Sequence, residues 1–180
     1  MEVNTLRKLL QQTSADALTN KTYRKLRFSV CEGRTPDKIK EVEFWVLDHD
    51  FVYVEQDLFS EKQDMFRFNE AIEIQTIGHD YGLRLPRAHD WRGIGFWMTH
   101  DGKYYGVTKF NFEHAGHLWQ NTSIPQTKDG GAYYWSGSSD KTGESARAAV
   151  FYPSGHFDVV FRPRTEGMKV RLVIDPTLLK

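Results

Sequence analysis

Three clusters in this 180-residue chain have the residue types for chemistry. Asp48-His49-Asp50 sets two carboxylates beside an imidazole, the donors of a divalent metal site. His114-Ala115-Gly116-His117 presents two imidazoles, to which Asp101 or Glu113 could add an oxygen. Ser136, Ser138 and Ser139 place three hydroxyls around a glycine. None completes a site. Three consecutive polar residues between β-rich runs form a turn, and Gly116 disfavours the helix that would align His114 with His117, so no third ligand is fixed. The serines lack the strand-to-helix elbow that exposes a nucleophile. The expectation is no catalytic residue, no metal and no cofactor.

Binding chemistry is better represented. Between Trp91 and Gly131 the chain is predicted to run as a long irregular region. Its Trp97, Tyr104, Tyr105 and Trp119 exceed what a solvated loop needs. Exposed aromatics stack on sugar rings or anchor protein interfaces, so these four are the candidate ligand- or partner-binding residues.

The elements that must position them follow from periodicity. Val3, Leu6, Leu9 and Leu10 recur at spacings of three and four, predicting an amphipathic helix over residues 3–12. Leu26, Phe28 and Val30 alternate with polar residues in a strand over Lys25 to Gly33. From Val42 to Val54, the runs VEFWVL and FVYVE joined at residues 48–50 predict a hairpin. FRFNEAIEIQTI, from Phe66 to Ile77, has the spacing of a helix, broken by His79-Asp80-Tyr81-Gly82. Pro86 pushes Leu85 toward extended geometry and opens a short helix or turn holding RAHDW. Asp101-Gly102, between apolar stretches, is a hairpin signal. A polar loop is predicted over Glu113 to Gly131. Three strands follow: AYYWSGSS, RAAVFYPSGHFDVVF with a turn at Pro153-Ser154-Gly155, and MKVRLVID from Met168.

Lys and Arg total 24, as do Asp and Glu, so no net field favours nucleic acid or an anionic membrane, and no nucleic-acid partner is expected. Charges interrupt the apolar cluster of MEVNTLRKLLQQ, and no run approaches the roughly 20 apolar residues of a membrane span. The expectation is a protein made in the cytoplasm without a signal peptide. Cys31 is the only cysteine, which excludes an intrachain disulfide.

Three motifs carry a family likeness. Gly82-Leu83-Arg84-Leu85-Pro86 with Asp90-Trp91, then Tyr134-Trp135-Ser136-Gly137-Ser138, then Lys169-Val170-Arg171-Leu172-Val173-Ile174-Asp175 stand in order over roughly residues 66–175. They resemble the Fibrobacter succinogenes major paralogous domain of the C-type-lectin-like superfamily, whose members read G-W-R-L-P-x-x-x-E-W, Y-W-S-S and S-V-R-C-V-R-D. The resemblance implies an α+β, C-type-lectin-like domain over 66–180, preceded over 1–65 by an N-terminal helix and β-hairpin extension. It gives Arg84, Pro86, Trp91, Trp135 and Arg171 structural roles: the tryptophans as buried anchors, Arg84 as partner to a carboxylate or carbonyls.

The departures narrow what the likeness implies. The cysteines that members often carry before the first motif and inside the last are both missing here, consistent with a reducing compartment. The copper-binding cysteines of the related formylglycine-generating enzymes are also missing, which disfavours that activity. Calcium-dependent lectins use Glu-Pro-Asn or Gln-Pro-Asp with Trp-Asn-Asp; Trp119-Gln120-Asn121 is the nearest approach and lacks the carboxylate. The expected function is a non-catalytic binding or assembly protein that takes a protein partner or forms a homo-oligomer, with a bacteriophage virion as a suggested setting in capsid decoration or tail receptor binding. A carbohydrate-binding module with a glycan ligand is the alternative.

Overall fold

The computed structural model describes residues 1–20, 23–31, 39–54, 62–99, 112 and 114–179, with backbone alone at 20, 23–31, 39–44, 54, 62 and 96–99. Its elements in chain order begin with helix α1 (Val3–Asn20), β1 (Tyr23–Cys31), β2 (Ile39–Leu47), β3 (Tyr53–Val54), β4 (Lys62–Gln63) and β5 (Phe66–Arg67). Helix α2 (Phe68–Gly78), a 3-10 turn at His79–Tyr81, β6 (Leu83–Arg84) and helix α3 (Ala88–Thr99) follow. The rest is β: β7 (His117–Leu118), β8 (Pro125–Gln126), β9 (Ala132–Ser139), β10 (Ser145–Phe151), β11 (Phe157–Pro163), β12 (Gly167–Met168) and β13 (Val173–Ile174). The fold is a mixed α+β arrangement of antiparallel sheets, ordered β1-β2-β13-β6, β11-β10-β9, β5-β12-β7-β8 and β3-β4.

Helix α1 runs eight residues past its predicted end at residue 12. The stripe of Leu6 and Leu10 continues through Ser14 and Ala17, both buried; small and polar residues extend it without registering as apolar. Ser14 Oγ donates to the Tyr81 carbonyl at 2.7 Å and ties the helix to the turn after α2.

The sheet β9–β10–β11 separates two apolar clusters. Side chains alternate across it, as the pleat requires. Tyr133, Trp135, Ala146, Ala148 and Val150 enter one cluster, with Leu6 and Leu10 of α1 and Phe68 and Ile74 of α2. Ala132, Tyr134, Ala149 and Phe151 enter the other, with Trp91 and Ile94 of α3 and Phe112. Both faces of β9 and β10 are covered, so those two strands read as apolar on both sides. The expected boundary near residue 65 is crossed by both packing and pairing: α1 joins the first cluster, and β2 lies between β1 and β13.

The hairpin predicted over Val42 to Val54 does not form. Strand β2 pairs with β1 from Tyr23↔Leu47 to Cys31↔Ile39 and with β13 at Val46↔Val173, so both its edges are taken and Tyr53–Val54 pairs instead with Lys62–Gln63. Phe66 opens a strand, not the helix, which starts at Phe68. The irregular region predicted from Trp91 does not begin there, because Trp91 to Thr99 continues α3. The predicted Asp101-Gly102 hairpin lies outside the described residues.

The closing stretch MKVRLVID is not one strand. Gly167–Met168 pairs with Phe66–Arg67, Lys169 bridges to Tyr134, the Val170 and Leu172 carbonyls accept from Phe51 and Leu47, and Val173–Ile174 pairs with β2 and β6. The backbone changes partner at nearly every residue as it threads between sheets. The Lys169 N–H donates to the Tyr133 carbonyl and the Asp175 N–H to the Gly82 carbonyl.

Candidate functional site

Turns of this length keep their shape only when their peptide groups are satisfied, and the turn after β7 is held from several sides. The Trp119 N–H donates to the Ile124 carbonyl (3.1 Å) and the Thr122 N–H to the Trp119 carbonyl (3.1 Å). Asn121 adopts a left-handed φ of 52°, a conformation Asn tolerates, and its N–H donates to the Thr165 carbonyl. The Arg67 guanidinium reaches in from β5: Nη1 donates to the carbonyls of Trp119 and Thr165, and Nη2 to that of Thr122. A planar fork with fixed donors suits this clamp where a lysine would not. Gly116 makes the base of the turn compact, since its φ is +72° and a Cβ there would stand 2.0 Å from the Gln126 carbonyl oxygen.

The clamp presents apolar surface to solvent. Trp119 is 49% exposed and Ile124 61%. The hydrogen bonds that hold this turn form within the chain itself, which reduces what a partner covering these side chains must immobilise.

Beneath the tip lies a polar layer. Arg162 Nη2 donates to His117 Nε2 at 2.8 Å, and Arg162 Nε donates to Glu166 Oε2 at 2.8 Å. The His117 ring packs on Tyr133 with centroids 4.6 Å apart, and the Tyr133 hydroxyl donates to Asp129. Burial and then the Arg162 charge depress the His117 pKa, against a weaker pull from Asp129. Accepting from Arg162 requires the neutral imidazole, so geometry and charge agree. Burial raises the Glu166 carboxyl pKa, with Arg162 opposing. His114 Nδ1 meets the Gly130 carbonyl.

Two further arginines organise the interior. Arg84 Nη1 donates to Asp90 Oδ2 at 2.6 Å and Nε to Asp175 Oδ2 at 2.7 Å, joining β6, α3 and the chain after β13. Asp90 Oδ2 also accepts the Arg87 N–H at 2.8 Å, capping α3. Burial alone would raise the Asp90 pKa, but hydrogen bonding by His89, the Arg84 charge and its hydrogen bond, and the Arg87 N–H hold it below the usual carboxylate range. Arg171, with no exposed surface, contacts Asp50 Oδ1 through Nε and Nη2 at 2.7 Å, donates to the Leu47 carbonyl at 2.8 Å and lies over the Phe112 and Tyr134 rings. Tyr134 donates its hydroxyl to Asp50 Oδ2 at 3.0 Å, so both Asp50 oxygens are engaged. His49 and Asp50 border a cleft of ≈ 260 Å³, smaller than the usual ligand pocket.

The structure thus separates the residues singled out by sequence. Trp91 and Trp135 are fully buried, and Trp135 Nε1 donates to the Phe66 carbonyl at 2.7 Å. Pro86 is buried and its carbonyl accepts the Gly137 N–H. Trp119 is exposed; Trp97 lies on helix α3, and Tyr104 and Tyr105 fall outside the described residues. Ser136 is fully buried, and Ser138 Oγ accepts the Ala88 N–H at 3.5 Å. Among the described residues, no three His, Cys, Asp or Glu side chains converge on a metal position. No helix among them is long and apolar enough to cross a membrane.

Sequence reading missed Arg67, Arg162 and Glu166. Arg67 contacts Trp119, Thr122 and Thr165 across 52 to 98 residues of chain, a span over which spacing carries no signal.

In comparisons with family models, curated proteins and solved structures, nothing matches this chain.

Proposed function

We propose that the chain is a non-catalytic binding and assembly protein that engages a protein partner through the clamped tip at residues 119–124. The observation that carries this reading is the exposed Trp119 and Ile124 on a turn whose carbonyls are fixed by Arg67. Large aromatics in rigid surroundings dominate protein interfaces, because little ordering entropy opposes their burial. The buried carboxylates favour a structural reading over catalysis: Asp90 and Asp175 neutralise Arg84, Asp50 neutralises Arg171, and Glu166 neutralises Arg162. Catalytic acids and bases need instead to face a reacting group.

A C-type-lectin-like arrangement is the finer fold proposal. It is supported by the meeting of the two ends of the 66–180 stretch, with β5 paired to β12 and β6 to β13, and by the burial of Trp91, Trp135 and Arg171. Assembly in the cytoplasm into a virion, as a decoration or tail protein, is the setting proposed with it. The alternative reading is glycan binding, favoured by the same Trp119 face flanked by the exposed amides of Gln120 and Asn121.

Benzoylphenylalanine at Gln120, photolysed in cells that make the protein, tests the proposal. One dominant protein adduct is expected, weakened at least about tenfold by Ile124→Asp. Glycan-array binding that disappears in Trp119→Ala, with no protein adduct, would replace the proposal with the carbohydrate alternative.

A further inference from the structure

Strand β11 ends its sheet, and its outer edge is unpaired among the described residues. The Tyr152 N–H donates to the His156 carbonyl and the Arg164 N–H to the Glu144 carbonyl, one at each end of the β10–β11 ladder. With the register Val150↔Asp158 and Ala148↔Val160, the even-numbered residues of β11 therefore turn their peptide groups toward β10. The N–H and C=O groups of Phe157, Val159 and Phe161 point the other way. Val159 confirms the direction: its N–H is taken by the neighbouring Asp158 Oδ1 at 2.7 Å, not by a strand. Phe161 on this edge is 52% exposed.

The sequence of that edge, Phe157-Asp158-Val159-Val160-Phe161-Arg162-Pro163, is complementary to itself when reversed about Val160. We propose that β11 is the seam of a two-fold homodimer, pairing antiparallel with β11 of a second copy about an axis through Val160. In that register, the Val159 N–H passes from its own Asp158 Oδ1 to the Phe161 carbonyl of the second copy, which frees Asp158, and the Phe161 N–H donates to the Val159 carbonyl of the second copy. Phe157 donates to Pro163 across the seam. On one face Asp158 meets Arg162 of the second copy, and on the other Val159 meets Phe161, each twice by symmetry. Opposite charges and aromatic–β-branched pairs are the favourable cross-strand neighbours.

A second copy fits better than an unrelated peptide. A two-fold axis reuses one patch on both partners, and here each half of the strand supplies what the other half lacks. Shifting the axis to Val159 would set Asp158 against Val160 and lose the charge pair, so the register is specified. Arg162 bonds Glu166 through Nε and His117 through Nη2, so its part at the seam is a charge placed opposite Asp158 rather than a further fixed hydrogen bond. Pro163, with no N–H to offer, closes the ladder at one end. The two sheets would merge into one, removing an edge that otherwise invites uncontrolled pairing.

The inference gives the assembly reading a self-partner on an element other than the Trp119 tip. Light scattering after size exclusion, at tens of micromolar, tests it. Wild type is expected at twice the 21.0 kDa of one chain. Val159→Pro removes an outward N–H that the β10 ladder does not use, so the fold should persist while the dimer dissociation constant rises roughly a hundredfold. Asp158→Arg, which sets like charges across the seam, should also give the monomer and serves if the proline variant does not fold. A monomeric wild type, or an oligomer that every folded variant leaves intact, would overturn the proposal. Because Trp119→Ala addresses only the tip, failure of one reading is distinguishable from failure of the other.

Discussion

Replacing Asp90 probes the junction on which β6, α3 and the chain end depend. Asp90 has no exposed surface and the Arg84 side chain is 6% exposed, so Asp90→Ala removes one of the two carboxylates from a buried guanidinium that keeps its bonds to Asp175 and the Leu85 carbonyl. Breaking a buried pair by removing one partner costs about 3–5 kcal/mol. Asp175 still neutralises Arg84, which lowers the expected cost to roughly 2–3 kcal/mol; loss of the cap at Arg87 restores about 1 kcal/mol of it. About 3 kcal/mol is a large part of the roughly 5–15 kcal/mol that holds a domain together. Urea unfolding followed by tryptophan fluorescence reads it as a shift in midpoint at unchanged slope.

The charge can be separated from the shape. Asp90→Asn keeps the outline and one acceptor, and should recover the cap but not the ion pair. Because the folded Asp90 pKa lies below its ordinary value of 3.8, its contribution is present above that value and is lost as pH falls through the lower, folded pKa. The wild-type loss of stability in strong acid should therefore be shallower in Asp90→Ala. A cost under about 1 kcal/mol, or full stability in Asp90→Asn, would refute the assignment of a buried, charge-dependent junction.

Three other outcomes follow from the same interior. Asp50→Ala should cost about 3–5 kcal/mol by removing the carboxylate that neutralises the buried Arg171, and adding Arg171→Met should recover part of that loss in a double-mutant cycle by urea unfolding. His117 is held neutral, so wild-type stability should fall as pH drops from 6.5 through its depressed folded pKa; His117→Gln, which keeps an acceptor for Arg162, should flatten that part of the stability–pH curve. Trp119→Ala should leave the thermal midpoint within a few degrees, whereas Trp135→Ala, which removes a buried ring and its bond to the Phe66 carbonyl, should cost about 3–5 kcal/mol by calorimetry.

What was legible in the chain was local. AYYWSGSS coincides with β9, Pro153-Ser154-Gly155 turns β10 into β11, and the spacing of Ala71, Ile74 and Ile77 places α2, because each signal lies within a few residues and needs no distant partner. The alternation in VEFWVL likewise marked a strand, but the identity of its neighbour was not local. Strands β1 and β13 compete for the edges of β2, and β13 arrives from more than a hundred residues away.

The same division separates the aromatic residues. Composition alone established that the chain is rich enough in large rings to build a core, and the single cysteine ruled out a disulfide as its support. Tryptophan identity does not distinguish Trp135, which is fully buried, from Trp119, which is 49% exposed. That difference is set by what packs over each ring. Tertiary structure brings Phe66 and Phe68 to Trp135, and brings Arg67 to the backbone under Trp119 while leaving its ring uncovered.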